Sequence, residues 1–214
     1  YSNGEALPGE LLRYAAEIGL KTVSITDHDN VNAAREAAFI AEELGLDLIP
    51  GVELTSRWDE RPPDDSPDPF QDVHVLGYFI DSQDPDFLRF TGAAMEDLRA
   101  RITDCCRRLS EDGYPVTVYD VLDENPRYPG AMQLIAALRR KGYAGSRQDA
   151  FTLFARHWRS VRPCGHTTAR VIEAIHAAGG VAVLAHPVSV RCEDGLLSRE
   201  HVARLVALGL DGLE

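Results

Sequence analysis

Residues 21–56 read KTVSITDHDNVNAAREAAFIAEELGLDLIPGVELTS, and their punctuation decides the fold. A β-branched run from Thr22 to Thr26 halts at Asp27-His28-Asp29. Val31 to Leu44 then repeats apolar residues at helical spacing and stops at Gly45. Leu46 to Ser56 is a second apolar run, marked as irregular by Pro50-Gly51. Strand, helix, strand is the unit from which parallel sheets with helical crossovers are built. Asp27-His28-Asp29 also has a plain reading as a turn, with Asn30 as the cap of the following helix.

Working outward, LPGELLRYAAEIG (7–19) is a helix stopped by Gly19. RWDERPPDDSPDPFQD (57–72) is a Pro- and Asp-rich loop, and VHVLGYFI (73–80) is a third strand. The order predicts parallel strands joined by helical crossovers. After Asp86 the pattern changes. DFLRFTGAAMEDLRARITDCCRRLSEDG, VTVYDVLDEN, AMQLIAALRRKGY and RQDAFTLFARHW all read as helices, with no strand until residue 181. Residues 87–166 are therefore expected to be a helical insertion between two α/β portions, 1–86 and 167–214. The second portion resumes with a helix (TTARVIEAIHAAGG), a strand (VAVLAHP) and a helix (SREHVARLVALG).

The totals fit this division. The 214 residues allow one large α/β domain or a domain with an insertion, and a hydrophobic content of 44% is ordinary for a globular protein. No apolar run is long enough to cross a bilayer, and no secretory signal is visible. The four cysteines, 105, 106, 164 and 192, have no C-x-x-C spacing, which points to reduced thiols and a cytoplasmic protein. A formal charge of −12 argues against broad binding to duplex DNA. It leaves room for a nucleotide held through metal ions, because a cation reverses the local field. The chain opens without Met and closes on LGLDGLE, an unfinished strand, and so reads as a piece of a longer protein.

Polar residues recur on the strands: His28, Glu53, His74 and His186. In parallel α/β folds the functional face lies at the strands' C-terminal ends. Each residue taken alone has a bland explanation, a hydrogen-bonded core histidine or a salt-bridged glutamate. Together they carry four separate desolvation costs, which one metal cluster satisfies. Three imidazoles and a carboxylate suit Zn, Mn or Fe. Asp27 or Asp29 would then hold the other ring nitrogen of His28. His157, His166, His176 and His201, and both tryptophans, read as surface or packing residues. The insertion carries a basic cluster that includes Arg139, Arg156, Arg159 and Arg162. It is either a solvated helix face or a cap whose guanidinium groups hold phosphate, with Arg139, Arg156 and Arg162 as the candidate contacts. No Walker loop, G-x-G-x-x-G or G-x-S-x-G is present.

At YSNG, SITDHD, IPGVE, HVLGYFI and GGVAVLAHP the chain resembles the PHP family, named for polymerase and histidinol phosphatase. ALRRKGYAGSRQDAFTLFARHWRSVRP is similar to the cap of one branch, which contains nucleoside monophosphate and 3′,5′-bisphosphate phosphatases and 5′→3′ exoribonucleases. The resemblance implies a distorted (β/α)7 barrel, here incomplete at both ends, with a helical cap that covers the site. It implies up to three divalent ions (Mn, Zn or Fe), with His28, Glu53, His74 and His186 as ligands and Glu53 bridging. The implied activity is metal-dependent hydrolysis of a small phosphomonoester, a nucleotide or a short RNA end. The family's His-x-His, a later His and an Asp-x-His fall outside residues 1–214, so this stretch alone is expected to be weak or inactive. Two departures stand out. Asn3 occupies a family Asp position, and Arg127-Tyr128-Pro129-Gly130 stands near the branch's Arg-Pro-His. A non-catalytic metal- or nucleotide-binding module and a metal-dependent hydrolase of C–N bonds are the competing readings.

Overall fold

The computed structural model describes residues 2, 4, 6–58, 72–192 and 195–214. Strands β1 (Thr22–Ile25), β2 (Asp47–Ser56), β3 (Val73–Tyr78), β4 (Val181–Leu184) and β7 (Gly212–Leu213) form one sheet in the order β1-β2-β3-β4-β7. A small hairpin, β5 (Arg191–Cys192) with β6 (Gly195–Leu196), stands apart from it. The pair β1/β2 is parallel, as its helical crossover requires, and so is β4/β7. The third strand departs from the sequence-based expectation, because β3 runs antiparallel to both β2 and β4. An antiparallel neighbour needs no helical crossover, and the loop expected at 57–72 lies, but for its ends, outside the described residues. Nor do the described residues close a (β/α)7 barrel. They form an open, mixed, five-stranded sheet.

Two helices cover the β1 side. Helices α1 (Pro8–Glu17) and α2 (Asn32–Leu44) bury Leu12, Ala15, Ala33, Ala37 and Ala41 against Ile25 and Leu46. The run of alanines at helical spacing lets both helices lie close to the sheet. Gly45 ends α2 in the left-handed conformation (φ 65°). The cap of α2 differs from expectation. Val31 is the N-cap, and Asn30 instead forms an Asx turn, accepting from the Asn32 N–H (3.2 Å) and donating to the His28 carbonyl (2.8 Å). The central core packs Val52, Leu54, Val75, Ala182 and Leu184 of the sheet against Val171, Ile172 and Ile175 of α7 (Thr168–Ala177), and Leu205 of α8 (Arg199–Ala207) joins it.

Helices α3 (Pro85–Glu111), α4 (Val118–Glu124), α5 (Ala131–Arg140) and α6 (Arg147–Trp158) form a block with its own core. Ile102, Cys105, Leu109, Leu134, Leu138 and Phe154 are fully buried there. Asp84 caps α3 through the Phe87 N–H (2.7 Å), and Thr117/Asp120 and Ser146/Asp149 form capping boxes on α4 and α6. Among the described residues no helix is long and apolar enough to cross a membrane.

Gly51 explains the Pro-Gly irregularity inside β2. The strand pairs with β1 through Pro50 and with β3 from Gly51 onward. A Cβ on Gly51 would stand 2.4 Å from Ser24 Oγ and 2.8 Å from Thr26 Cγ2. Gly51→Ala is therefore expected to lower stability by about 1–3 kcal/mol through overpacking. A urea midpoint equal to wild type would contradict this close approach.

Candidate metal centre

Beyond β1 the chain rejoins β2 one residue at a time. The Glu53 N–H donates to the Asp27 carbonyl (3.0 Å), and the Asp29 N–H donates to the Glu53 carbonyl (2.9 Å). His28 is thereby fixed in a parallel bridge opposite Glu53. Asp29 takes a positive φ of 56° and is 1% exposed. Its carboxylate holds that conformation by accepting from both the N–H and the hydroxyl of Thr55, each at 2.8 Å. Glu53 and Thr55, two apart on β2, share a face, and Thr55 stands directly opposite His74 on β3. His186 leaves β4 with a φ of 35°, its N–H donating to Glu214 Oε2 (2.7 Å). Two of the strand exits around the site are thus held in left-handed conformations that non-glycine residues rarely adopt.

The side chains converge on one carboxylate. Glu53 Oε1 lies 3.1 Å from His74 Nδ1 and 3.1 Å from His186 Nε2, and Oε2 lies 3.7 Å from His28 Nε2. His74 Nδ1 and His186 Nε2 are themselves 3.1 Å apart. One ligand atom from each of His28, Glu53 and His74 falls within 4.8 Å of the other two. Ser189 sets the tautomer of His186. Its hydroxyl donates to the His186 carbonyl (2.8 Å), so it accepts from Nδ1–H (2.8 Å), which fixes the ring with Nε2 facing Glu53.

Electrostatics prepare these groups for a cation. Burial opposes the charge on Glu53, but hydrogen bonds from His186 and His74 overcome it and hold the carboxyl well below its usual range. Burial pushes His28 below the ordinary imidazole value; His74 adds to this, and Glu53 opposes it. The hydrogen bond to Glu53 raises His186, against its burial. An ionised carboxylate and neutral imidazoles are the states in which these residues bind metal. Two ring nitrogens and one carboxylate oxygen converge at 3.1 Å, an arrangement that a shared cation satisfies. Ligands bonded at about 2.1 Å in a tetrahedron stand about 3.4 Å apart, close to the separations seen here. The residues present therefore fit a divalent ion.

A cavity of about 190 Å³ lies against this cluster, lined by His28, Thr55, His74, Asp72, Arg101 and Tyr128 among others. Arg101 of α3 is 3% exposed, pairs with the buried Asp72 at 2.7 Å, and lies over the Trp158 ring at 4.7 Å. Tyr128 stacks beside His28, with ring centroids 6.1 Å apart. Ser2 joins the two halves of the molecule. Its N–H and hydroxyl donate to Asp27 Oδ1 (2.7 and 2.8 Å), and its carbonyl accepts from Asn125 (3.1 Å) and Gln133 (2.9 Å) of the helical block.

The structure thus brings His28, Glu53, His74 and His186 together. Asp27 binds Ser2 and Asp29 binds Thr55, while His28 Nδ1 is buried with no hydrogen-bond partner among the described residues. Asn3 lies outside the described residues. Arg139, Arg156 and Arg162 are exposed and do not line the cavity beside the cluster; Arg156 faces Asp112 (3.9 Å) and Arg162 pairs with Asp97 (2.6 Å). Sequence reasoning missed Arg101, Asp72, Tyr128 and Ser189. A signal existed for the first: Arg101 falls on the same helical stripe as Leu98, Ile102 and Cys105.

No family model matches the chain. Over 214 residues it is 30% identical to the 5′-3′ exoribonuclease Rnm of Escherichia coli, covering 96% of this chain and 67% of that protein. Over 194 residues it is 25% identical to the 3′,5′-nucleoside bisphosphate phosphatase of Chromobacterium violaceum, covering 87% of this chain and 63% of that protein. The curated relatives it matches are covered over 62% to 78% of their length. Its fold superposes on the crystal structure of a protein assigned as a metal-dependent phosphoesterase from Bifidobacterium adolescentis. The TM-score is 0.79 at 31% identity, over 100% of this chain and 73% of that one. With this sequence likeness, this superposition and the imidazole–carboxylate cluster, the chain belongs to the PHP-like metal-dependent phosphoesterase family.

Proposed function

We propose that the protein hydrolyses a small phosphomonoester, a nucleoside 3′,5′-bisphosphate or monophosphate, at a cluster of up to three Mn, Zn or Fe ions. The observation that supports this most is the convergence of three imidazoles on the Glu53 carboxylate. His28, His74 and His186 would hold the ions through their inward nitrogens, and Glu53 would bridge them with its two oxygens. The chemistry such ions supply when bound is activation of a water and neutralisation of phosphoryl charge. The chain's own residues do the rest. Ser189 fixes the His186 ring through Nδ1, and Asp29 holds the turn that aims His28. In this reading residues 87–166 act as a cap on the α/β portions 1–86 and 167–214. The relatives' names support nucleotides or RNA ends as substrates. The buried free thiols of Cys105, Cys106 and Cys164 accord with a cytoplasmic protein.

The test is phosphate release by the full-length protein from a panel of mononucleotides, bisphosphates and short 5′-phosphorylated RNA. Release is expected to fall to background after chelation and to return on adding Mn or Zn. Absence of metal-dependent release from every member of the panel would remove the proposal.

A further inference from the structure

The cavity beside the cluster has walls of two kinds. The sheet side brings His28, Thr55 and His74, two of them members of the cluster. Most of what the helical block adds is unsuited to holding an anion. Leu98, Ala131 and Met132 are apolar, and Arg101 is committed, with one Nη donating to Asp72 (2.7 Å) and its face over Trp158.

Tyr128 is different. It lies between α4 and α5, is 5% exposed, and lines this cavity. No described residue hydrogen-bonds its hydroxyl, yet the oxygen is not sealed from open space. A buried phenol normally has a hydrogen-bond partner within the protein. At the wall of a cavity that adjoins metal ligands, the missing partner is a bound ligand.

The ring is held in place from two sides. It lies nearly parallel to the His28 ring (19°), with centroids 6.1 Å apart. Gly130, the N-cap of α5, leaves the room the ring needs. A Cβ there would run into Tyr128 Cε1 and stand 2.8 Å from Cδ1. Gly130 has a φ of −90°, which any residue adopts, so it is the Tyr128 ring and the Gln133 side chain, not the backbone, that call for glycine. Arg127, by contrast, lines a different cleft beside Glu124 and Gln133. Within 127–130 it is therefore the tyrosine, not the arginine, that reaches the cavity.

We propose that the Tyr128 hydroxyl donates a hydrogen bond to a phosphoryl oxygen of the bound phosphomonoester, so that Tyr128 is the residue through which the helical block holds the substrate phosphate. The proposal rests on the phosphoesterase reading above and deepens it by naming a residue that recognises the phosphate. A phenol is protonated at neutral pH and so donates to an anionic oxygen, and hydrogen bonds to charged oxygens are among the strong ones. The contact is independent of base and sugar, and it acts on the substrate, not through the metal ligands.

Binding of inorganic phosphate, the expected product, separates this contact from turnover. Full-length protein loaded with Mn and freed of excess metal is titrated calorimetrically with orthophosphate. Wild type is compared with Tyr128→Phe, which keeps the ring and removes the hydroxyl alone. The variant is expected to bind phosphate about tenfold or more weakly, the loss that one hydrogen bond to a charged group implies. Its kcat/KM should fall to a similar extent, with metal content and Tm within error of wild type. Tyr119→Phe, at an exposed tyrosine on α4 that does not line the cavity, is expected to match wild type. Equal phosphate affinity in wild type and Tyr128→Phe, or no binding by wild type, would overturn the proposal. So would a loss of affinity that follows a loss of metal, because the hydroxyl would then serve His28 and not the phosphate. Absence of phosphate release from the substrate panel would instead remove the proposed function, and the orthophosphate affinities would still decide whether an oxyanion at the cluster meets Tyr128.

Discussion

Glu53→Gln is expected to reduce metal-dependent phosphate release by about 10³-fold or more, equivalent to about 4 kcal/mol of transition-state stabilisation. The substitution keeps the size and the position of the side chain on β2. It removes the negative charge that three imidazole nitrogens surround at 3.1 to 3.7 Å. An amide presents one carbonyl oxygen, where the carboxylate presents two anionic ones, and it cannot bridge cations. The fold is expected to survive. The backbone of Glu53 keeps its bonds to Asp27 and Asp29, and the core beneath it is Val52 and Leu54. Metal content should fall together with activity. Turnover within tenfold of wild type, at normal metal content, would contradict the assigned role.

The second large effect lies at the joint between the helical block and the sheet. Asp72→Ala is expected to destabilise the protein by about 3–5 kcal/mol, because it leaves the Arg101 guanidinium charged and buried without its carboxylate. The two side chains are 6% and 3% exposed, so solvent screens the pair little. Burial pushes Asp72 upward although Arg101 opposes this, and the attraction of Asp72 holds Arg101 above its ordinary value against burial. For a domain of this size the loss corresponds to roughly 10 °C in Tm. Asp72→Leu/Arg101→Met removes both charges and keeps the volume, and most of the lost stability should return. A double variant no more stable than Asp72→Ala would show that the pair acts through something other than uncompensated charge. Since Asp72 immediately precedes the strand that carries His74, the single variant should also lose activity.

What the sequence disclosed, and what it hid, follows from the range of the interactions involved. Helix boundaries at Gly45 and the strand–helix–strand order of 22–56 are local, and period and stop residues report them. The four converging residues were legible because each is a polar group at an otherwise apolar strand position. Strand direction was not legible for β3. Direction depends on the path by which β2 is joined to β3, and a Pro- and Asp-rich composition does not specify that path. Closure into a barrel likewise depends on long-range pairing, and the likeness to a family suggested a ring where the described residues make an open sheet. Arg101 escaped notice because α3 is crowded with charge. Only its place on the stripe with Leu98 and Ile102 separates it from its exposed neighbours, among them Arg99 and Arg107. Asp72 is the last residue before β3, as the loop assignment has it, and its pairing with Arg101 of α3 is a long-range contact that no local pattern reports. Tyr128 and Ser189 contact the cluster imidazoles His28 and His186 from distant or irregular segments, and no periodicity marks such partners.

The central claim is that the imidazoles of 28, 74 and 186 and the carboxylate of 53 share divalent ions. Anomalous diffraction from crystals of the full-length protein, grown with Mn or Zn and measured on both sides of the metal's absorption edge, tests it most directly. The account predicts at least one peak within about 2.0–2.3 Å of Glu53 and of inward nitrogens of His28, His74 or His186. Metal-replete, active protein whose anomalous peaks all lie away from Glu53 would contradict it.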